Sequence, residues 1–277
     1  LEPKRGQFAL GPLDIANAYY PGQGLALALE AIVLDTFSRR LPADLAEARL
    51  DDPRVQERLR RLLGAVLERV GDLEVPFLSL GNQIDLLLKE DESAWRAWSA
   101  LLAGIQRFVG ERKPGLAVMA SVRVTAILEA TGEHRARLLG RAEDPLLVTY
   151  TLLGDLTARP PATVGEDFAR LMRLAGGRRV FVTDVSTCST ELCRSSEPLQ
   201  AEYVRALLRL WQTHDTLVFL HLGQLFDRLP ALADALGVEI GDRSKLLREV
   251  LRTVGLHTVD GRAKSGWRVV LDRLERR

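Results

Sequence analysis

The 277-residue chain, 47% hydrophobic and 27% charged, is long enough to bury one large core or two modest ones, which excludes a disordered, fibrous or disulfide-dense protein. Its 38 basic and 37 acidic residues nearly cancel, and arginines such as Arg58, Arg60 and Arg61 form no single basic block, so no nucleic acid partner is expected. No stretch reaches the roughly 20 apolar residues of a membrane helix, since even Leu25 to Phe37 is broken by Glu30 and Asp35. The first residue is Leu1 and no signal peptide is present, which reads as a processed or trimmed product.

In chain order, Gln7 to Ile15 and Leu25 to Asp35 are strand-like runs. The link between them, Ala16 to Gly24, is shorter than the dozen or so residues a parallel crossover needs. Asp52 can cap a helix that begins at Pro53, carries Val55, Leu59, Leu62, Leu63, Val66, Leu67 and Val70 on one stripe, and ends at Gly71. A strand follows at Val75 to Leu80. The next helix, from about Ser93 to Val109, buries Trp95, Trp98, Leu102, Ile105 and Val109 and stops at Gly110.

Strands are expected again at Leu116 to Val122 and Leu146 to Tyr150, then a helix from about Thr163 to Leu174 closed by Gly176 and Gly177. A strand at Val180 to Thr183 precedes a helix capped by Ser196 that carries Tyr203, Val204, Leu207, Leu208 and Trp211. Thr216 to Leu220 is the last strand, and a final helix runs from about Ser244 to Gly255. These strands are short and continuously apolar, as strands covered on both faces read. Their alternation with helices predicts βα units on a parallel sheet in a single domain over residues 1–277, either a barrel or an open doubly wound sheet. No Gly-x-Gly-x-x-Gly or Gly-x4-Gly-Lys loop follows any strand, which removes the commonest nucleotide sites, favours the barrel and gives no reason to expect a cofactor.

In such architectures reactive groups gather at the carboxyl ends of the strands. The residues just after each apolar run are Asn82, Gln83 and Asp85, then Arg123, then Tyr150 and Asp155, then Asp184, and finally His221 and Gln224. Cys188 and Cys193 could close a small disulfide in an oxidising compartment or remain two thiols, and without nearby histidines they are not a metal signal. Each candidate also has a plain structural role open to it. Gln83 could bond neighbouring backbone, Tyr150 could pack under a loop, Asp184 could cap a turn, and His221 could be satisfied by a neighbour. Trp95, Trp98 and Trp211 lie on helix stripes and read as core. Asp14 and Asp35 end the two early runs and could offer a carboxylate to the same cleft.

The segment Leu80-Gly81-Asn82-Gln83-Ile84-Asp85 resembles the strand-end Leu-Gly-Asn-Glu motif of clan A glycoside hydrolases, retaining (β/α)8 enzymes whose Asn-Glu pair ends strand four and whose second Glu ends strand seven. Val148 to Arg159-Pro160-Pro161 resembles the sixth-strand segment of that family, and Val182-Thr183-Asp184-Val185 with Ser195-Ser196-Glu197 the seventh. Val254-Gly255-Leu256, Asp260-Gly261 and Lys264-Ser265-Gly266-Trp267 are similar to its closing helix and tail. The resemblance covers roughly residues 40–270. It implies a (β/α)8 TIM-barrel-like α/β fold, with Gln83 at the acid/base position, Asp184 at the nucleophile position, and Asn82, Asp85, Tyr150, Asp155, His221 and Gln224 lining a carbohydrate site. It also implies a secreted or periplasmic setting.

Two departures shape the expectation. A retaining glycosidase needs two carboxyls about 5 to 5.5 Å apart. Gln83 has no proton to exchange, and Asp184 is one methylene shorter than Glu, a retreat of about 1.5 Å. Misplacement on that scale costs about a hundredfold in rate. The amino end also offers too few βα units, so the barrel is expected to be incomplete there, with about six units and one or two missing. An open edge of that kind calls for cover by a partner chain, a dimer or the chain's own loops. The expected function is a glycoside hydrolase-like protein that acts on or binds a polysaccharide or oligosaccharide with weak or lost hydrolysis. The alternative is a non-catalytic carbohydrate-binding or structural protein on the same scaffold.

Overall fold

The computed structural model describes residues 2, 6–129, 139, 144–150, 160–240 and 244–275. The described residues fall into two compact units. One reaches to Ser121 and takes in Leu139, Asp144 and Pro145; the other holds residues 122–129 and those from Leu146 onward.

The first unit is built on a sheet of order β2-β1-β3-β4. Its strands are β1 (Leu29–Asp35), β2 (Ser38–Arg39), β3 (Phe77–Asn82) and β4 (Ala117–Met119). β1, β3 and β4 run parallel, and the two-residue β2 folds back antiparallel on β1. Helix α1 (Gly11–Tyr19) stands where the sequence suggested a strand. Leu10, Leu13 and Ala16 recur every three residues, Leu10 and Ala16 are buried while Ile15 is 72% exposed, and Pro12 sits in the first turn, where its missing N–H costs nothing.

Helix α2 (Pro53–Arg69) starts as its sequence dictates. The Asp52 carboxylate accepts the Arg54 N–H at 2.8 Å, and Val55, Leu59, Leu63 and Val66 are buried on one stripe. A one-turn α3 (Asp85–Leu88) leads into α4 (Glu92–Gly110), where the Asp91 carboxylate accepts the Ala94 N–H at 3.0 Å. Trp95 and Trp98 on α4 are completely buried, each contributing upwards of about 2 kcal/mol of apolar burial. Near the end of β3 the chain passes close to its neighbours: a Cβ on Gly81 would lie 2.5 Å from Ile84 Cγ2 and 3.3 Å from the Trp98 ring, so only glycine fits.

The expected strand at Leu116 to Val122 is interrupted at Ala120. Its second half, β5 (Ser121–Arg123), heads a sheet of order β5-β6-β7-β8 with β6 (Leu146–Thr149), β7 (Val180–Val185) and β8 (Leu217–Leu222). β6, β7 and β8 are parallel. The accompanying helices are α5 (Val124–Leu128), α6 (Pro161–Ala175), α7 (Glu197–Thr213), α8 (Pro230–Ile240), α9 (Lys245–Thr253) and α10 (Ser265–Leu274). Ser196 caps α7 through the Leu199 N–H, Ser244 caps α9 through the Leu247 N–H, and Gly176 in the left-handed region closes α6. With β4 and β5 taken as one interrupted run and the short antiparallel β2 set aside, six strand runs alternate with helices among the described residues. That agrees with the expectation of about six βα units.

Two buried devices fix the segment after β7 in the second unit. Cys188 and Cys193 are disulfide-bonded, which decides between the two states open in the sequence, and both pack against Val250 and Val254 of the α9 end. The Lys264 ammonium, 2% exposed, donates to Asp227 Oδ1 at 2.7 Å, Ser189 Oγ at 2.9 Å and the Thr253 carbonyl at 3.2 Å. Asp227 Oδ1 also accepts the Gly255 N–H at 2.9 Å. The chain beyond α9 is thereby tied to the loop leaving β7 and to the loop leaving β8.

Candidate functional site

Polar groups cluster at the strand ends of each unit. In the first, Asp35 and Asn82 are register partners at the ends of β1 and β3. Asn82 Nδ2 donates to Asp35 Oδ1 and to Thr36 Oγ1, both at 3.3 Å, and the Thr36 N–H donates to the Asn82 carbonyl at 2.8 Å. Ser121 Oγ donates to Asn82 Oδ1 at 3.3 Å and accepts the Gln83 N–H at 2.9 Å. Arg40 grips Asp35 Oδ2 through Nε at 3.2 Å and Nη2 at 2.9 Å. Asp35 is thus the carboxylate of this cluster. Asp14, by contrast, lies on α1 and pairs with Arg69 at the far end of α2, away from the strand ends.

Gln83 immediately follows β3. It is completely buried, its backbone is left-handed at φ 45°, and its side-chain oxygen and nitrogen both lack a hydrogen-bond partner among the described residues. Asp85 opens α3 and is also buried, at 4% exposure.

In the second unit, β7 and β8 fall out of step: Val182 faces Leu220 but Val185 faces Leu222, three residues against two. The extra residue makes a bulge containing Asp184, whose φ of 49° is left-handed. Bulges of this kind re-aim a side chain at a sheet end. The Asp184 N–H donates to His221 Nδ1 at 3.4 Å, fixing that nitrogen as the acceptor. Gly223 leaves room for the carboxylate, since a Cβ there would lie 2.7 Å from Asp184 Oδ1.

The half-buried Asp184 carboxyl is pushed above the usual range by loss of solvent, which outweighs the opposing pull of His221 and Arg228. Arg228 is pushed down by burial and held up by Asp184. The sign for stability follows. A carboxyl with a raised folded-state pKa binds its proton more tightly folded than unfolded, so folding stability falls as pH rises from the unfolded value toward the folded one. Asp184→Asn removes that cost. It is expected to raise the urea midpoint at neutral pH, with a gain that shrinks as pH falls toward about 4 and is gone below it; an equal gain at pH 3 and pH 7 would contradict it.

The other predicted residues are distributed as follows. Tyr150 is 2% exposed; its hydroxyl donates to Asp167 at 2.6 Å, and its ring stacks on Tyr203 at 5.8 Å and meets Phe168 edge-on at 5.2 Å. It is built into the core of the second unit and has no open face for a sugar. His221 is exposed, and Gln224 is half-buried with its carbonyl accepting the Leu256 N–H. Asp155 lies outside the described residues. Arg228 was not among the sequence candidates. It stands six residues past β8, outside the strand-end positions where reactive groups are expected. No helix among the described residues is long and apolar enough to cross a membrane, and no group of three or more His, Cys, Asp or Glu among them could hold a metal.

Strands β1, β3, β4 and β6 to β8 interleaved with helices, and strand ends carrying the polar groups, define a chain of the (β/α)8-barrel type found in glycoside hydrolases. A GH5_18 protein from Streptomyces cattleya in complex with GlcNAc superposes with a TM-score of 0.74 at 18% identity, over 99% of this chain and 68% of that one. GH5_18 from Bifidobacterium longum subsp. longum gives 0.72 at 15% identity, over 100% and 68%. A glycoside hydrolase family 17 beta-1,3-glucanosyltransferase from Rhizomucor miehei gives 0.60 at 14% identity, over 94% and 83%. The chain thus spans about two thirds of the length of the GH5_18 proteins, in keeping with an incomplete barrel. No family model and no curated protein matches the sequence.

Proposed function

We propose that this protein binds an oligosaccharide or polysaccharide at the carboxyl ends of its barrel strands, with hydrolysis weak or lost. Gln83 carries the reading: the position that resembles an acid/base Glu holds a fully buried amide, and an amide can neither give nor take a proton near neutral pH. Asp184 supports it, as a carboxylate aimed by a bulge, with His221 and Arg228 beside it and no hydrogen bond to it from the described residues. The sugars bound by the GH5_18 neighbours, GlcNAc and Manb1-4GlcNAc, make β-linked oligosaccharides the first ligands to try. The Cys188–Cys193 disulfide favours an oxidising compartment, where such polymers are met.

Calorimetry and product analysis against β-linked manno-, gluco- and GlcNAc-containing oligosaccharides test this. The expected result is measurable binding with turnover at or near background, and binding weakened about tenfold or more in Asp184→Ala. Replacement of Gln83→Glu, which returns a titratable acid to that position, is expected to raise turnover above the wild type. Absence of heat with every glycan would overturn the proposal. Brisk turnover by the wild type would overturn the loss of hydrolysis.

A further inference from the structure

Arg228 is the charged group of the second unit whose role the fold does not exhaust. Among the described residues its side chain makes one hydrogen bond, a long one from Nη1 to the Leu251 carbonyl at 3.5 Å, and no ion pair. Its neighbour in sequence, Asp227, is the obvious counterion, but that carboxylate is spent on the Lys264 ammonium and the Gly255 N–H. Asp184 lies within electrostatic range yet makes no hydrogen bond to the guanidinium. A half-buried guanidinium therefore keeps most of its five donors available in a fixed fork.

The mounting of this arginine is rigid. The Asp227 N–H donates to the His257 carbonyl at 2.8 Å, Phe226 bridges to His257 in a strand-like pairing, and the buried Lys264–Asp227 pair locks the backbone on which Arg228 sits. His221 is exposed and tethered to the Asp184 N–H through Nδ1. The cluster thus offers one permanent cation, one imidazole and one carboxylate, and the guanidinium is matched by no carboxylate hydrogen bond among the described residues.

We infer that Arg228 is a specificity residue that receives the carboxylate of a uronic acid unit, so that the carbohydrate taken beside Asp184 is an acidic one. The planar fork matches a carboxylate in two parallel hydrogen bonds, whereas a neutral hydroxyl uses one donor and leaves the charge unmatched. This rests on the carbohydrate reading above and names the substrate class of the same strand end.

The test is calorimetry of the intact protein with trigalacturonate and a hyaluronan tetrasaccharide, each against cellotetraose, for the wild type, Arg228→Gln and Arg228→Lys. The wild type is expected to bind the acidic oligosaccharides about tenfold more tightly than the neutral one. Arg228→Gln should erase that preference while leaving cellotetraose within about twofold, and Arg228→Lys, keeping the charge but not the fork, should retain part of it. Salt near 0.5 M should weaken only the acidic ligands. Thermal melts confirm that each variant is folded, and should Arg228→Gln fail to fold, the lysine variant decides. Equal or better binding of cellotetraose by the wild type, or an equal loss for both ligand classes on substitution, overturns the inference and leaves the carbohydrate reading standing. No heat with either class overturns both.

Discussion

Replacing Asp227 with alanine is expected to lower stability by about 3–5 kcal/mol, the cost of stranding a buried ammonium. Lys264 is 2% exposed and Asp227 9%, so neither charge can turn to water when the other is removed. In a chain of this size such a loss corresponds to a fall in Tm of about 10 °C. Asp227 also holds the Gly255 N–H, so its removal opens a second gap in the same place. The double variant Asp227→Ala/Lys264→Met should recover much of the loss, because an apolar side chain of similar length replaces the stranded charge. Urea denaturation of the single and double variants measures both quantities. A single-variant loss below about 1 kcal/mol would mean that the pair is as weak as an exposed one.

Gln83→Met is expected to change stability in the opposite direction, raising it by about 1–3 kcal/mol. Two buried amide atoms without partners carry a desolvation cost that a thioether of nearly equal length does not. The main-chain bonds around position 83 are unaffected, because the Gln83 N–H bonds Ser121 Oγ and the Ile84 N–H the Ser121 carbonyl whatever the side chain is. If the variant is more stable and binds glycan less well, the amide is held there for function against its own energetic interest. A loss of stability would show instead that the amide is bonded in solution.

Much of the architecture is written in local chemistry. Asp52, Ser196 and Ser244 cap the helices that their sequences announce, and the continuous apolar runs at 77–80, 146–149 and 180–183 are parallel strands. Helix α1 was misread because Gln7 to Ile15 is too short for a period of two and a period of 3.6 to be told apart. The break at Ala120 carries no turn signal of its own, whereas helix α8 announces itself by Pro230 at its first position. At the strand ends, residue type was legible but environment was not. Nothing in Leu-Gly-Asn-Gln says that Gln83 is wholly buried or that its N–H is received by Ser121, 38 positions on. Tyr150 shows the same limit: the sequence places it at a strand end, and only the packing of Phe168 and Tyr203 reveals it as core. Arg228 was invisible for a third reason. Its importance depends on Asp227 being engaged by a lysine 37 residues downstream.

Thr36, Gln83 and Asp184, at the ends of β1, β3 and β7, share left-handed backbones of 46°, 45° and 49°, a conformation that few residues other than glycine adopt without cost. For Gln83 and Asp184 the hydrogen bonds described at the turn run from the main-chain N–H, to Ser121 Oγ and His221 Nδ1, and not from the side chain. These positions are therefore sockets whose orientation is inherited independently of what is plugged into them. An acid and an amide can thus be exchanged at such a socket without disturbing the main-chain bonds that hold the turn.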